Sequence, residues 1–301
     1  MKIGYPCINR TIICPGEKTF RLKSYSKERL KIVVENNINC LLKILHFNIE
    51  HNILFFRISS DIIPFASHPI CRFKWQNYFK DSFKEIGDLI KNNNIRISMH
   101  PDQFNVVNSK DSNIFKRTHR EILYHAQVLD LMGLDKSAKI QIHVGGVYGD
   151  KERSIERFIK RYETLDSSIR SRRVIENDDK SYTLLDCLKI NKAINIPILF
   201  DVLHHEINSS GESLAEAFKK ISKSWGRRDG LPMVDYSEQR RSKRPGVHAE
   251  SIDTKMFKEF LVYTQDFDFD IMLEIKDKEK SALKAVGSAQ NDKRFVDEQE
   301  R

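Results

Sequence analysis

The sequence predicts a single parallel (β/α)8 barrel, and three observations carry that expectation. Eight short apolar runs alternate with helical periodicities over about 280 residues. The runs lack the polar alternation of a one-sided sheet, so they read as strands covered on both faces. No Gly-rich phosphate turn follows the first run, as it normally does in an open, doubly wound sheet.

Residues 2–5 form the first expected strand, followed by a turn-rich loop to Tyr25. A long helical pattern covers 28–51, with Ser26 at its start. The second strand, 53–59, carries Arg57 inside it. An apolar loop, 61–69, contains His68 and leads to a helix over 75–93. The third strand, 95–100, ends at His100, and its helix spans 113–132. The fourth, 139–144, carries His143 and opens into Gly145-Gly146 before a very basic helix, 151–165. The fifth, 173–176, ends in Glu-Asn-Asp, with a helix over 183–194. The run Ile-Pro-Ile-Leu-Phe-Asp-Val-Leu-His-His-Glu, 196–206, is the sixth, followed by a helix near 214–223. Residues 233–236 make a short seventh strand, followed by a charged loop and a helix at 254–264. The eighth strand covers 270–275. Residues 1–285 are expected to be one barrel domain, and the polar stretch 286–301 a frayed tail.

Lysine and arginine outnumber aspartate and glutamate, 51 to 42, giving a net charge of +9, which favours a polyanionic partner. Five cysteines (7, 14, 40, 71 and 187) are odd in number and show no Cys-x-x-Cys spacing. Neither a disulfide framework nor a zinc finger is expected, and a reducing cytoplasm is the natural compartment. There is no long uncharged apolar run, so no membrane-spanning helix is expected, and the first residues lack the apolar core of a secretory signal.

In a barrel of this kind, chemistry collects at the carboxyl ends of the strands. Those ends read Tyr5, Arg57, His100, His143, Glu176, Asp201 with His204, Asp235 and Glu274, with His248 on the loop after the seventh strand. Taken alone, Asp201 reads as the cap of the next helix with His204 packed beside it. Six successive strands ending in His, Asp or Glu need another account. Such a crowd repels or desolvates unless cations neutralise it, so divalent metal binding is expected, with ligands for two or three ions. Mixed imidazole and carboxylate donors without thiolate suit Mn²⁺, Zn²⁺ or Fe²⁺. Glu176 is placed to bridge two of them.

Arg240, Arg241, Lys243 and Arg244 precede His248 closely enough to contact phosphate beside such a centre, whereas the other basic runs read as solvated faces. Gln103 and Phe104 put an amide and an aromatic ring on the loop after the third strand. That pair suits a wedge into a base stack, and Phe104 equally suits an anchor to the barrel rim. Tyr5 and Asn9 either contact a nucleotide or satisfy turn backbone.

These residues, taken together, resemble the UV damage endonuclease family. The match rests on Gly4-Tyr5-Pro6-Cys7, Arg57-Ile58, Ile62 through Pro69 with His68, Ser98-Met99-His100-Pro101-x-Gln103, His143-x-Gly145-Gly146 and Glu176-Asn177-Asp178. It continues through Asp201-x-x-His204-His205, Arg244-Pro245-Gly246-x-His248 and Glu274-x-Lys276-x-Lys278-Glu279, in order from Met1 to about Lys280. The resemblance implies a barrel related to endonuclease IV and a divalent-metal centre, usually manganese. It implies incision immediately 5′ to UV photoproducts in double-stranded DNA, leaving a 3′-hydroxyl and a 5′-phosphate. A monomer with no obligatory protein partner and no membrane association is expected.

Carried onto this chain, the implied ligands are His100, His143, Glu176, Asp201, His204, His248 and Glu274, with Glu176, Glu274, His100 and His143 at the chemistry. Gln103 takes the lesion-probing position, and Phe104 stands where relatives usually carry Tyr. Tyr5 and Asn9 match residues near the damaged nucleotides, and Arg57, His68, Arg241, Lys243 and Arg244 complete the expected DNA-facing set. One departure stands out. The family's seventh strand commonly carries a carboxylated Lys followed two residues later by His, and this chain has Met233 and Asp235. Asp235 still offers an oxygen, but Met233 offers no anion, which puts a third ion in doubt. The competing readings are an abasic-site endonuclease, a sugar-phosphate isomerase and a non-catalytic DNA-binding barrel.

Overall fold

The computed structural model describes residues 1–14, 16–102 and 104–297. Its eight strands are β1 (Ile3–Pro6), β2 (Phe55–Ile58), β3 (Arg96–Met99), β4 (Lys139–His143), β5 (Arg173–Glu176), β6 (Ile198–Asp201), β7 (Met233–Tyr236) and β8 (Asp270–Leu273). All pair in parallel, in chain order, and β8 closes onto β1. Gly4 lets β1 lie against β2, because a Cβ there would come within 1.7 Å of the Phe55 carbonyl oxygen. The architecture is the expected (β/α)8 barrel.

Alternation along the strands sorts side chains into an outer and an inner set. Outward residues such as Phe56, Ile97, Ile140, Ile142, Ile175, Ile198, Phe200 and Ile271 join the large apolar layer under the helices. The inner set forms three tiers. At the amino-terminal end Arg96 pairs with Asp270 at 2.6 Å and Lys139 with Asp229 at 2.5 Å. Above them lie Phe55, Val174, Leu199, Met233 and Met272, a dry apolar tier. The upper tier carries Arg57, Gln141, Glu176, Asp201 and Asp235, each two residues beyond an inward-facing member of a lower tier.

The strands are joined through α1 (Lys27–Glu50), α2 (Trp75–Tyr78), α3 (Lys80–Asn92), α4 (Ser112–Leu131), α5 (Lys151–Glu163) and α6 (Ser167–Arg170). The second half carries α7 (Leu184–Ile194), α8 (Val202–Ile207), α9 (Leu214–Ser222), α10 (Thr254–Tyr263) and α11 (Glu279–Ala289). Several of these start where side chains satisfy their first backbone N–H groups. Ser26 accepts from Arg29 N at the head of α1, and Thr183 with Asp186 makes a capping box on α7. The expected helix over 75–93 is two, α2 and α3, interrupted at the buried Phe79. The run at 196–206 divides where His204 must leave the strand to share a pocket with Asp201. It stops at Asp201, whose side chain accepts from His204 N and so starts α8 at once.

Two expectations need correction. The 286–301 stretch does not begin as a frayed tail, because α11 continues to Ala289. Beyond it, the Arg294 guanidinium donates to the carbonyls of Thr264, Phe267 and Leu261, and Val296 N donates to Met1 O. Residues 298–301 lie outside the described set. Cys14 and Cys40 form a disulfide, with Cα atoms 5.5 Å apart, because the loop after β1 folds back across α1. A partner on the far side of a folded-back loop leaves no spacing signature. Cys7, Cys71 and Cys187 are free thiols. Among the described residues, no helix is long and apolar enough to cross a membrane.

Candidate metal centre

Glu176, the last residue of β5, is the hub of the upper tier and is 1% exposed. Its Oε2 accepts from the Gln141 amide at 2.7 Å and lies 3.6 Å from His100 Nε2 and 3.8 Å from His143 Nε2. Its Oε1 lies 3.3 Å from His204 Nδ1. His100 Nδ1 is paired with the Pro101 carbonyl at 2.7 Å, and His204 Nδ1 with the Asn177 carbonyl at 3.0 Å. A backbone acceptor at Nδ1 fixes ring orientation; His100 then turns Nε2 toward Glu176, whereas His204 faces Glu176 and Asp201 through Nδ1 itself. His143 Nδ1 and His248 Nδ1 are buried without a hydrogen-bond partner.

Asp201 serves two structures. Its Oδ1 caps α8, while its Oδ2 lies 3.5 Å from His204 Nδ1. Asn177 clamps its backbone from both sides, accepting from Asp201 N and donating to Asp201 O at 3.0 Å each. Burial pushes the Asp201 carboxyl up to about 8, against the pull of His204 and with the push of Glu176 and Glu274. Burial acts on Glu176 in the same direction, but the imidazoles of His143, His100 and His204 outweigh it and hold Glu176 well below the usual range. The His204 imidazole is carried up to about 11, burial being outweighed by Asp201 and Glu176. A site that buries carboxylates this deep beside one another is short of positive charge.

Among the described residues, three donor groups have their ligating atoms within 4.8 Å of one another: His100, His143 and Glu176; Glu176, Asp201 and His204; and Asp201, Asp235 and Glu274. The first two share Glu176, and their residues would hold divalent ions between them. The third group is different, because Arg57 is already in it. Arg57 Nη2 lies 2.8 Å from both Asp235 oxygens, and its Nη1 donates to Glu274. Burial raises the Glu274 carboxyl, but Arg57 together with the imidazoles of His248 and His100 outweighs it, and it settles at about 2. The other Glu274 oxygen faces His248 Nε2 at 3.7 Å.

The expected DNA-facing residues divide. Arg241, Lys243 and Arg244 are exposed on a hairpin closed by a bridge between Gln239 and His248. The Gln239 amide donates to the carbonyls of Arg240 and Arg244 and accepts from Gly246 N, so the hairpin is built rather than loose. Phe104 is 79% exposed at the mouth, on a cavity of about 550 Å³ that also reaches Arg57, His100, His248 and Glu274. Gln103 lies outside the described residues. His68 is exposed on its loop, its Nδ1 accepting from Ile70 N. Arg57 faces carboxylates rather than solvent. Tyr5 and Asn9 are buried: Tyr5 donates to Asn48, and Asn9 donates to Tyr5 and accepts from Thr11 N and Ile12 N. Asn9 thus satisfies turn backbone, while Tyr5 is tied to side chains, Asn48 on α1 and Asn9.

Four residues in working positions escaped the sequence reading. Gln141 spans Glu176 and Asp235. Its position two residues before His143, hence on the same barrel face, is the signal that could have found it. Asn177 belongs to a quoted motif but its clamp on Asp201 is a tertiary contact. Arg157 and Arg161, read as a solvated face, donate to the carbonyls of Asn108 and Val107 and pin the segment that follows Phe104. Gly145 sits beneath it at φ 114°, where a Cβ would fall 2.3 Å from Asn108 Oδ1.

A parallel barrel with imidazoles and carboxylates massed at its carboxyl-terminal mouth, rimmed by a basic hairpin, defines a polar-centre barrel enzyme. The profile of the family described as UV-endonuclease UvdE matches residues 1–296. The UV DNA damage endonuclease of Clostridium perfringens is 42% identical over 290 residues, 96% of this chain and 70% of that protein. Its counterpart in Bacillus cereus strain B4264 is 37% identical over 282 residues, 91% of this chain and 89% of that one. The crystal structure of SacUVDE superposes with a TM-score of 0.92 at 46% identity, covering 96% of this chain and 98% of that one. This chain belongs to the UV DNA damage endonuclease family, DNA repair nucleases. Endonuclease IV from Thermus thermophilus, at 13% identity and a TM-score of 0.56 over 81% of this chain and 90% of that one, shares the fold.

Proposed function

We propose that this chain nicks double-stranded DNA immediately 5′ to UV photoproducts, cyclobutane dimers and 6-4 photoproducts, leaving a 3′-hydroxyl and a 5′-phosphate. The observation that carries this reading is buried Glu176, shared by two donor clusters, beside an exposed basic hairpin. Divalent ions held by His100, His143, Glu176, Asp201 and His204, with His248 and Glu274 at the edge, would supply charge for activating water and stabilising phosphoryl oxygens. Manganese, which the resemblance implies, suits donors of this kind without thiolate.

The chain's own residues do the rest. Gln141 holds Glu176 in place, and backbone carbonyls hold His100 and His204, so the donors are oriented before substrate arrives. Arg241, Lys243 and Arg244 meet phosphates and set the register of the duplex. Phe104 fills the space left by an unstacked lesion, and unstacking costs least where damage has already weakened pairing. The mouth cavity gives a displaced nucleotide room beside the donors.

A duplex carrying one cyclobutane dimer tests this, with Mn²⁺ and with chelator. The expected product is one nick directly 5′ to the dimer, lost with chelator and lost in Glu176→Ala although DNA still binds. An intact dimer duplex, with nicking confined to an abasic duplex, would replace this reading with the abasic-site one.

A further inference from the structure

The acidic group Asp201, Asp235 and Glu274 has the donors for another cation, yet a cation is built into it. Arg57 reaches across the barrel interior from β2 to β7 and places Nη2 2.8 Å from each oxygen of Asp235. Its Nη1 donates to Glu274, and Gln141 adds a third hydrogen bond to Asp235, at 2.8 Å. Arg57 is 3% exposed and Asp235 0%. We infer that the Arg57 guanidinium stands permanently in the place of a third metal ion, so that this chain loads two divalent ions and Asp235 positions Arg57 instead of ligating metal. The inference rests on the metal-dependent reading above.

Charge supports the assignment. With ions loaded and every carboxylate ionised, Glu176, Asp201, Asp235 and Glu274 bring four negative charges to the upper tier. Two divalent ions cancel them, Arg57 leaves one positive charge over, and one phosphodiester group matches it. A third divalent ion would add two more positive charges with no carboxylate to meet them. The next inward residue of β7 is Met233, packed in the apolar tier with Phe55, Val174, Leu199 and Met272, so no anion waits there. Donor capacity agrees. A carboxylate has about four lone-pair positions, and three hydrogen bonds already converge on Asp235. Glu274 differs, since only one of its oxygens meets Arg57 and the other remains directed at His248.

A guanidinium also behaves unlike an ion. It never deprotonates in a protein and is not lost to chelators, but it donates hydrogen bonds and cannot accept a lone pair. Arg57 therefore balances charge without offering a Lewis-acid position.

Metal counting on the full chain tests this. The protein is stripped with chelator, reloaded with Mn²⁺ alone, desalted, and its manganese per chain measured by elemental analysis, with circular dichroism to confirm folding. Two ions in the wild type and three in Arg57→Met, where Asp235 and Glu274 lose their counter-charge, are the expected results. Three ions in the wild type, or two in a folded Arg57→Met, would overturn the inference. Should Arg57→Met not fold, Asp235→Asn decides: a count still at two supports the assignment, and loss of an ion overturns it. A wild type that retains no manganese would instead overturn the metal-dependent reading itself.

Discussion

Gln141 and Glu176 lie on neighbouring strands, and the Gln141 amide is fastened to the Glu176 carboxylate at 2.7 Å in the buried upper tier. The same amide nitrogen reaches Asp235 at 2.8 Å, so one side chain spaces two carboxylates that would otherwise repel. Partners that orient a metal ligand typically contribute about 10–100-fold to activity or affinity. Gln141→Leu is expected to lower the single-turnover nicking rate by about that factor, with DNA affinity by fluorescence anisotropy unchanged. Equal losses in rate and DNA binding would refute the positioning role.

Phe104 projects from the mouth at 79% exposure, so its removal does not open a core cavity. Base–aromatic stacking contributes about 1–3 kcal/mol per base. Phe104→Ala should leave the melting temperature unchanged and weaken preference for dimer-containing over undamaged duplex by roughly 5–100-fold. Competition nicking with two labelled duplexes measures that ratio.

The basic hairpin makes a prediction about salt. Arg241, Lys243 and Arg244 are exposed on a hairpin whose backbone is held by Gln239, and each removed phosphate contact should shrink the slope of log affinity against log salt by about 0.9. The triple alanine variant should therefore bind more weakly, with a flatter slope, and nick bound DNA at the wild-type rate. An unchanged slope would place the DNA elsewhere.

Acid stability depends on His125, which is fully buried, its Nδ1 on the Glu121 carbonyl and its Nε2 on Ser60 Oγ. Burial, only partly offset by the Glu121 carbonyl, lowers the imidazole from 6.5 to about 4. The unfolded chain therefore takes up a proton between those values while the folded chain does not. Stability contributed by neutral His125 is complete above about pH 6.5 and falls as pH drops toward 4, by up to roughly 3 kcal/mol. Urea denaturation at about pH 7 and about pH 5 should show the loss, and His125→Phe should reduce it.

The cross-link between Cys14 and Cys40 closes a separation of 26 residues. Chain-entropy scaling for a loop of that length gives about 3.5 kcal/mol. Thermal melts with and without reductant, and of Cys14→Ser, should differ accordingly, while a wild-type melt insensitive to reductant would remove the contribution.

Local pattern was enough to find the strands, because each is an apolar run bounded by turns, and it found their ends, because polar residues break those runs. His100, His143, Glu176, Asp201 and His204 do converge as their strand ends required. What the pattern lacked was pairing. Arg57 and Asp235 are separated by 178 positions, and alternation says that both face inward without saying that they meet. The same holds for Arg157 and Arg161, whose charges go to backbone carbonyls, and for the cysteine pair. The 286–297 segment failed for a related reason: a polar composition does not show that Arg294 will find three carbonyls.

Asp201 links two equilibria that could have been separate. One of its oxygens starts α8 and the other sits with His204 at the centre, so any cation drawing on this carboxylate also acts on the first turn of a helix. A cation held there would bear on the start of α8 as well as on the charge of the centre. Asn, an equally good cap, would keep the helix start while removing the charge, so the two roles part at the charge and not at the hydrogen bond.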